Sequence, residues 1–164
     1  MTATTHGRVL VAGLGNIFLG DDGFGVEVAR RLSSRPLPPQ VEVSDIGIRG
    51  VHLAFDLLDR PYDVTILIDT MMRGAQPGTV CLFEPYADAP RRVSADAHAM
   101  TPASVLAYLR TIGGDPGQVW IVGCEPSSID ERMGLTPPVE AAVDRAVELV
   151  LEIIDCDGSA PPTS

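Results

Sequence analysis

The chain has 164 residues, a typical single-domain length, of which 45% are hydrophobic and 21% are charged. Its net charge of −10 argues against nucleic acid or an anionic membrane as the main partner, because both require concentrated Lys and Arg. No apolar run approaches the roughly 18 residues that span a bilayer, and no signal peptide is recognisable. We therefore expect a cytoplasmic protein.

Short apolar runs alternate along the chain with segments of helical periodicity. The runs predict five strands at residues 8–12, 41–46, 64–68, 79–83 and 118–122. The periodic segments predict four helices at residues 25–32, 49–58, 102–112 and from 137 to about 154. This order predicts an α/β fold in three layers, with a mostly parallel sheet covered on both faces. We expect one domain over residues 1–155 and an unfolded tail over 156–164.

Acidic side chains stand where the predicted strands end. Asp21 and Asp22 close the loop after the first strand, Asp45 ends the second strand, and Asp69 follows the third. In such sheets the functional site lies outside the carboxyl ends of the strands. With His98, which precedes the next helix, two of these carboxylates could bind a divalent metal ion. The simpler readings are a helix cap for Asp21 or Asp22, a solvated strand end and a structural histidine.

The glycines of the first loop do not form a nucleotide-binding motif. A dinucleotide fingerprint would need glycine at position 18, which is Phe18. A P-loop would need Lys and Ser or Thr after Gly20, where Asp21 and Asp22 stand. A carboxylate close to a phosphate costs roughly 1–4 kcal/mol in repulsion. The loop is therefore expected to hold a cation or a proton, and no nucleotide.

The segment from Val9 to Val26, VLVAGLGNIFLGDDGFGV, closely resembles the N-terminal motif of the hydrogenase maturation endopeptidases. The resemblance covers about residues 8 to 154 and includes four further short motifs: Asp45-Ile46-Gly47, Leu67-Ile68-Asp69, Ala97-His98 and Gly134-Leu135-Thr136-Pro137. Members of this family remove a C-terminal peptide from the large-subunit precursor of nickel–iron hydrogenases after nickel insertion. The resemblance implies a twisted five-stranded sheet between helices and an endopeptidase of this kind.

The resemblance also implies particular roles for site residues. The metal-binding positions of the family match Asp22, Asp69 and His98. The first position is often Glu, so the shorter Asp22 would hold a metal closer to the backbone. Asp22 or Asp69 would be the base that activates water, in an aspartic-type peptidase, and whether a carboxylate or the metal activates that water stays open. Asp45 is expected to share in catalysis. Nickel would arrive with the precursor as a recognition marker and would not be a resident cofactor.

Two other functions remain in view. One is a non-catalytic maturation chaperone that binds the nickel-loaded precursor through the same three ligands. The other is a peptidyl-tRNA hydrolase-like enzyme, whose N-terminus also has a Gly-Leu-Gly-Asn turn after a strand. The latter would need a histidine shortly after the turn and a basic surface, whereas this chain has Asp21 and Asp22 there and a net charge of −10.

Overall fold

The structure is a computed structural model that describes residues 7–85, 101–159 and 161. Its strands are β1 (Val9–Leu14), β2 (Val41–Gly47), β3 (Val64–Thr70), β4 (Val80–Phe83) and β5 (Gln118–Cys124). Its helices are α1 (Phe24–Ser33), α2 (Gly50–Asp59), α3 (Pro102–Thr111) and α4 (Pro137–Asp155), with one short 3₁₀ turn at Gly20–Gly23. Every predicted strand and helix is present, with ends shifted by one or two residues.

The five strands form one sheet in the order β2-β1-β3-β5-β4. The pairs β1–β2, β1–β3 and β3–β5 are parallel, whereas β4 is antiparallel to β5. This confirms the predicted mostly parallel sheet. Strand β3 runs two residues beyond the predicted end, so Asp69 lies inside the strand, paired with Gly123 of β5. The carboxyl ends of the central strands β1 and β3 are therefore neighbours.

Helices cover both faces of the sheet, as the sequence predicted. On one face Val11 and Ile66 pack in a cluster with residues of α1 and α4. On the other face Leu10 and Leu67 pack in a cluster with residues of α2 and α3. Side chains alternate between the faces because the strand period is two, and both faces are apolar because both are covered. Among the helices of the described part, none has the length and hydrophobicity to cross a membrane.

The glycines of β1 and α1 let the helix approach the sheet closely. A Cβ on Gly13 would overlap the carbonyl oxygen of Gly25, and a Cβ on Gly25 would overlap that of Ile68. A side chain at either position would push α1 away from the strands. The glycines therefore serve helix–strand contact, and they set the start of α1 and the preceding 3₁₀ turn against the ends of β1 and β3.

The carboxylate of Asp21 anchors the 3₁₀ turn to the loop between β5 and α4. Asp21 is fully buried, and its Oδ1 accepts the Thr136 N–H at 2.7 Å. Its Oδ2 accepts the N–H groups of Ser127 at 2.8 Å and Ser128 at 3.0 Å, and the Thr136 hydroxyl at 2.7 Å. Burial acts to raise the pKa of Asp21, but these donors outweigh it and hold the pKa below its ordinary value. Asp21 is therefore a buried anion, and protein donors hydrogen-bond both of its carboxylate oxygens.

Neither acidic residue of the turn caps a helix, so that simpler reading was wrong. Helix α1 has Gly23 as its N-cap, with no side-chain hydrogen bond. The Asp21 carboxylate accepts hydrogen bonds from donors more than 100 residues away in the chain. The Asp22 carboxylate accepts from Asn16 and Thr70, which lie outside α1. The Thr136 hydroxyl also leaves its own helix uncapped, because it donates to Asp21. By contrast, Thr101 caps α3 by accepting the Ser104 N–H at 3.2 Å.

The segment after α4 contacts the sheet. The indole N–H of Trp120 donates to the Gly158 carbonyl at 2.7 Å, and Gly158 packs against Val64. The predicted domain end at residue 155 and the unfolded tail over 156–164 stay predictions.

Replacing Asp21 with Asn should lower the free energy of unfolding by about 2–4 kcal/mol, because an amide NH₂ would face buried N–H donors. The low pKa of the carboxylate means that its contribution is present above the ordinary value of 3.8 and is lost as the pH falls below it. Urea denaturation at pH 7 and at pH 3 should therefore show the gap between wild type and Asp21→Asn shrinking in acid. Asp59→Asn, an exposed control, should change little. Equal stability of Asp21→Asn and wild type at pH 7 would contradict the anchor.

Candidate active site

Asp22 is held at the carboxyl edge of the sheet by one hydrogen bond to each oxygen. Its Oδ2 accepts the Asn16 N–H at 2.9 Å, and its Oδ1 accepts the Thr70 hydroxyl at 3.0 Å. The loop that carries it is closed by backbone bonds from Leu19 to Asn16 and from Asp22 to Leu19. The half-buried carboxylate is thus fixed in orientation and keeps lone pairs for a further ligand.

Asp69 lies beside Asp22 at the end of β3 and is only 6% exposed. Its Oδ1 accepts the Thr70 N–H at 2.7 Å. Burial, and after it the negative charge of Asp22, raise the pKa of Asp69 to about 7. The hydrogen bond from the Thr70 backbone N–H opposes this rise without cancelling it. Near neutral pH this carboxyl therefore exchanges a proton readily.

The two carboxyl groups form an electrostatically coupled pair that favours a shared positive charge. Asp22 makes ionisation of Asp69 costly, and either a proton or a divalent cation between them would relieve the repulsion. A carboxyl group with a pKa near the working pH is suited to take up and release a proton during catalysis. The arrangement can therefore perform acid–base chemistry, and its oxygen donors suit a hard or borderline divalent ion.

The structure does not bring Asp45 into contact with this pair. Asp45 is exposed, and it lies in β2 at the level of Gly13. Strand β1 separates β2 from β3, so the strands that carry Asp45 and Asp69 are about 10 Å apart. Within residues 7–85 and 101–159, no hydrogen bond joins the Asp45 carboxylate to Asp22 or Asp69. Its role in catalysis stays a prediction.

His98 lies outside the described residues, so the third predicted metal ligand stays a prediction. In the part of the chain that is described, no three His, Cys, Asp or Glu residues form a group that could hold a metal. Helix α3 follows His98 and begins at Pro102, with Thr101 as its cap. Helix α3 leads to β5, which starts at the amino edge of the sheet. Because α3 therefore ends near the amino edge, its first turn lies towards the carboxyl edge, where Asp22 and Asp69 lie.

Thr70 and Asn16 contribute to the site although the sequence did not single them out. Both act through groups that sequence patterns do not distinguish: a backbone N–H in Asn16, and a hydroxyl with a backbone N–H in Thr70. For Thr70 the one available signal was its position directly after Asp69. For Asn16 it was its place after Gly15, whose positive φ of 127° turns the chain towards Asp22.

Asp69→Asn should remove a pH dependence from the stability of the protein. Because the folded pKa of about 7 lies above the ordinary 3.8, the folded state holds an extra proton between these values. The wild type should therefore lose up to roughly 4 kcal/mol from this group as the pH rises from 4 to 8. Denaturation curves of Asp69→Asn should lack that loss, and those of the exposed control Asp45→Asn should retain it. Identical pH profiles for wild type and Asp69→Asn would contradict the raised pKa.

Comparison with known proteins places this geometry in a family. Residues 26–153 match the family model described as hydrogenase maturation protease. The chain is 37% identical over 149 residues to the hydrogenase 2 maturation protease of Escherichia coli, covering 88% of each chain. It is 33% identical over 154 residues to the coenzyme F420 hydrogenase subunit delta of Methanothermobacter thermautotrophicus, covering 90% of this chain and 94% of that one. The solved structure of the hydrogenase maturating endopeptidase HybD from E. coli superimposes with a TM-score of 0.77 at 34% identity, covering 93% and 95% of the two chains. With this fold and these matches, the chain belongs to the hydrogenase maturation protease family.

Proposed function

We propose that this peptidase removes the C-terminal extension of a nickel–iron hydrogenase large-subunit precursor after nickel has been inserted. The observation that carries the proposal is the coupled pair of Asp22 and Asp69 at the carboxyl edge of the sheet. Membership of the hydrogenase maturation protease family supports the reaction and the protein class of the substrate. The cytoplasmic location expected from the sequence stays a prediction.

In the proposed reaction Asp69 acts as the general base, in the manner of an aspartic-type peptidase. Its ionised carboxylate takes a proton from water while the water oxygen attacks the scissile carbonyl carbon. The carbon–nitrogen bond then breaks, and the same proton passes to the leaving amine. The pKa of about 7 supports this role, because a base works best when its pKa is near the working pH. Asp22 supplies the negative charge that raises this basicity.

We propose that the precursor's own nickel is recognised by Asp22, Asp69 and His98. Two observations support a cation here: the repulsion between the carboxylates, and the single hydrogen bond that each Asp22 oxygen accepts from the described residues, which leaves lone pairs available. Two oxygens and an imidazole nitrogen suit a borderline divalent metal. The nickel is part of the substrate in this proposal, so it reports that insertion is complete before the chain is cut.

Exposed apolar side chains around the carboxyl edge support a protein substrate. Six large hydrophobic residues that are at least 40% exposed lie on loops after β1, β2, β3 and β5: Ile17, Phe18, Ile48, Met72, Ile129 and Met133. The loop after β5 joins the loop after β1 through backbone bonds between Phe18 and Arg132 and between Gly20 and Arg132. Clustered exposed apolar residues mark protein interaction surfaces. We name these six residues the apolar rim.

A processing assay with purified, nickel-loaded precursor tests the reaction. The wild type should release the C-terminal peptide, detected by mass spectrometry, and should leave nickel-free precursor intact. Asp69→Ala should lower the rate by about 100-fold or more, because it removes the base and one of the three proposed nickel ligands. Asp22→Ala and His98→Ala should also abolish cleavage by removing nickel recognition. Full activity of Asp69→Ala would refute the assigned base. Binding of loaded precursor by the wild type without cleavage would favour the maturation chaperone instead.

Substitutions in the apolar rim should weaken substrate binding without affecting the chemistry. Met72 is 68% exposed and Met133 is 64% exposed, so Met72→Gln and Met133→Gln should not disturb the core. Together they should raise KM for the precursor by about tenfold, since an interface residue contributes of order 1 kcal/mol, and leave kcat unchanged. Phe55→Gln, which changes a 46% exposed residue of α2 away from this edge, is the matched control. A KM for Met72→Gln/Met133→Gln equal to that of Phe55→Gln would contradict a role of the rim.

A further inference from the structure

We propose that Thr70 is the positioning residue of the carboxylate pair: its hydroxyl holds Asp22 and its backbone N–H holds Asp69. The inference rests on the proposed peptidase function, because it concerns the geometry of the same site. Thr70 donates from Oγ1 to Asp22 Oδ1 at 3.0 Å and from its N–H to Asp69 Oδ1 at 2.7 Å. One residue thus contacts both acidic groups.

The two carboxylates come from distant parts of the chain. Thr70 and Asp69 belong to β3, where Thr70 pairs with Cys124 and Asp69 with Gly123, and the next N–H, of Met71, donates to Cys124 at 2.9 Å. Asp22 lies 48 residues earlier, in the short 3₁₀ turn. In the described ranges, the bond from the Thr70 hydroxyl is the one hydrogen bond that joins this turn to β3. The hydroxyl therefore transfers the fixed position of the strand to a carboxylate on a loop.

This bond opposes an electrostatic force that acts to separate the pair. Two carboxylates at close range repel each other, and a side chain on a turn can rotate away. Asp22 has two orienting donors, the Asn16 N–H on Oδ2 and the Thr70 hydroxyl on Oδ1. Of these, the Asn16 donor lies on the same loop as Asp22. Among the described residues, the Thr70 hydroxyl is the one hydrogen-bond donor that ties the Asp22 carboxylate to β3, the strand of Asp69, and reacting groups must keep their relative positions to well within 1 Å.

The test compares Thr70→Val, which keeps the branched shape and loses the hydroxyl, with Thr70→Ser, which keeps the hydroxyl. Thr70→Val should lower kcat for the precursor about 100-fold, the effect of a misplacement of about 1 Å, and should raise KM because Asp22 is also a proposed nickel ligand, with a melting temperature close to wild type. Thr70→Ser should restore most of kcat. Thr65→Val is the matched control, because Thr65 lies on the same strand and its buried hydroxyl donates to the Pro116 carbonyl at 2.7 Å. It should lower stability and leave kcat unchanged.

Crystal structures of the wild type and Thr70→Val provide a readout that does not depend on activity. The Asp22 carboxylate should shift away from Asp69 in Thr70→Val, while the backbone of β3 should stay in place. An unchanged Asp22, or a kcat equal to wild type, would overturn the inference. A kcat loss that Thr70→Ser fails to restore would overturn it as well. If the wild type cleaves no precursor, the proposed function fails, and the Asp22 position in the two structures still decides the role of Thr70.

Discussion

The close approach of α1 to the central strands is the constraint on which the site depends. It exists because Gly13 and Gly25 have no side chains where the helix crosses β1 and β3. With α1 in this position, the 3₁₀ turn before it has to lie over the carboxyl ends of the same two strands. Asp22 then comes beside Asp69 without any long or mobile connection. The place of the turn that carries Asp22, beside Asp69, is thus set by backbone packing.

The same glycines explain why the first loop looks like a nucleotide motif. In dinucleotide-binding folds, glycines after the first strand allow a tight turn and a close helix as well as room for phosphate. In this chain the glycines allow only the close contact between helix and strands. At the end of the loop it has two carboxylates. Asp21 is buried and hydrogen-bonded, and Asp22 lies beside the carboxyl group of Asp69. A glycine-rich loop after the first strand can therefore belong to a site for an anion or to a site for a cation, and the residues at the end of the loop decide which.

The sequence predicted the elements of the fold well and the contacts of the site only partly. Strands and helices follow from local periodicity, so the α/β layers and the edge that carries Asp22 and Asp69 could be inferred. The role of Asp21 could not, because its partners lie more than 100 residues along the chain and are mostly backbone N–H groups. Thr70 was hidden because its hydroxyl contacts a carboxylate 48 residues earlier in the chain, which no local pattern reveals. Asp45 and Asp69 both follow apolar runs, so the sequence placed both at the ends of strands. In the sheet, however, β1 lies between the strand of Asp45, β2, and the strand of Asp69, β3.

The Asp21 anchor also has a consequence for the order in which the protein is made. Asp21 is bonded to Ser127, Ser128 and Thr136, which follow it by 106 to 115 residues. A ribosome must therefore add more than 100 residues after Asp21 before the first of these donors exists. Until then the turn that carries Asp22 lacks its anchor, even though its own residues were made first. Contacts of such long range form late in folding. The turn that carries Asp22 therefore gains its anchor only after the loop between β5 and α4 has been synthesised.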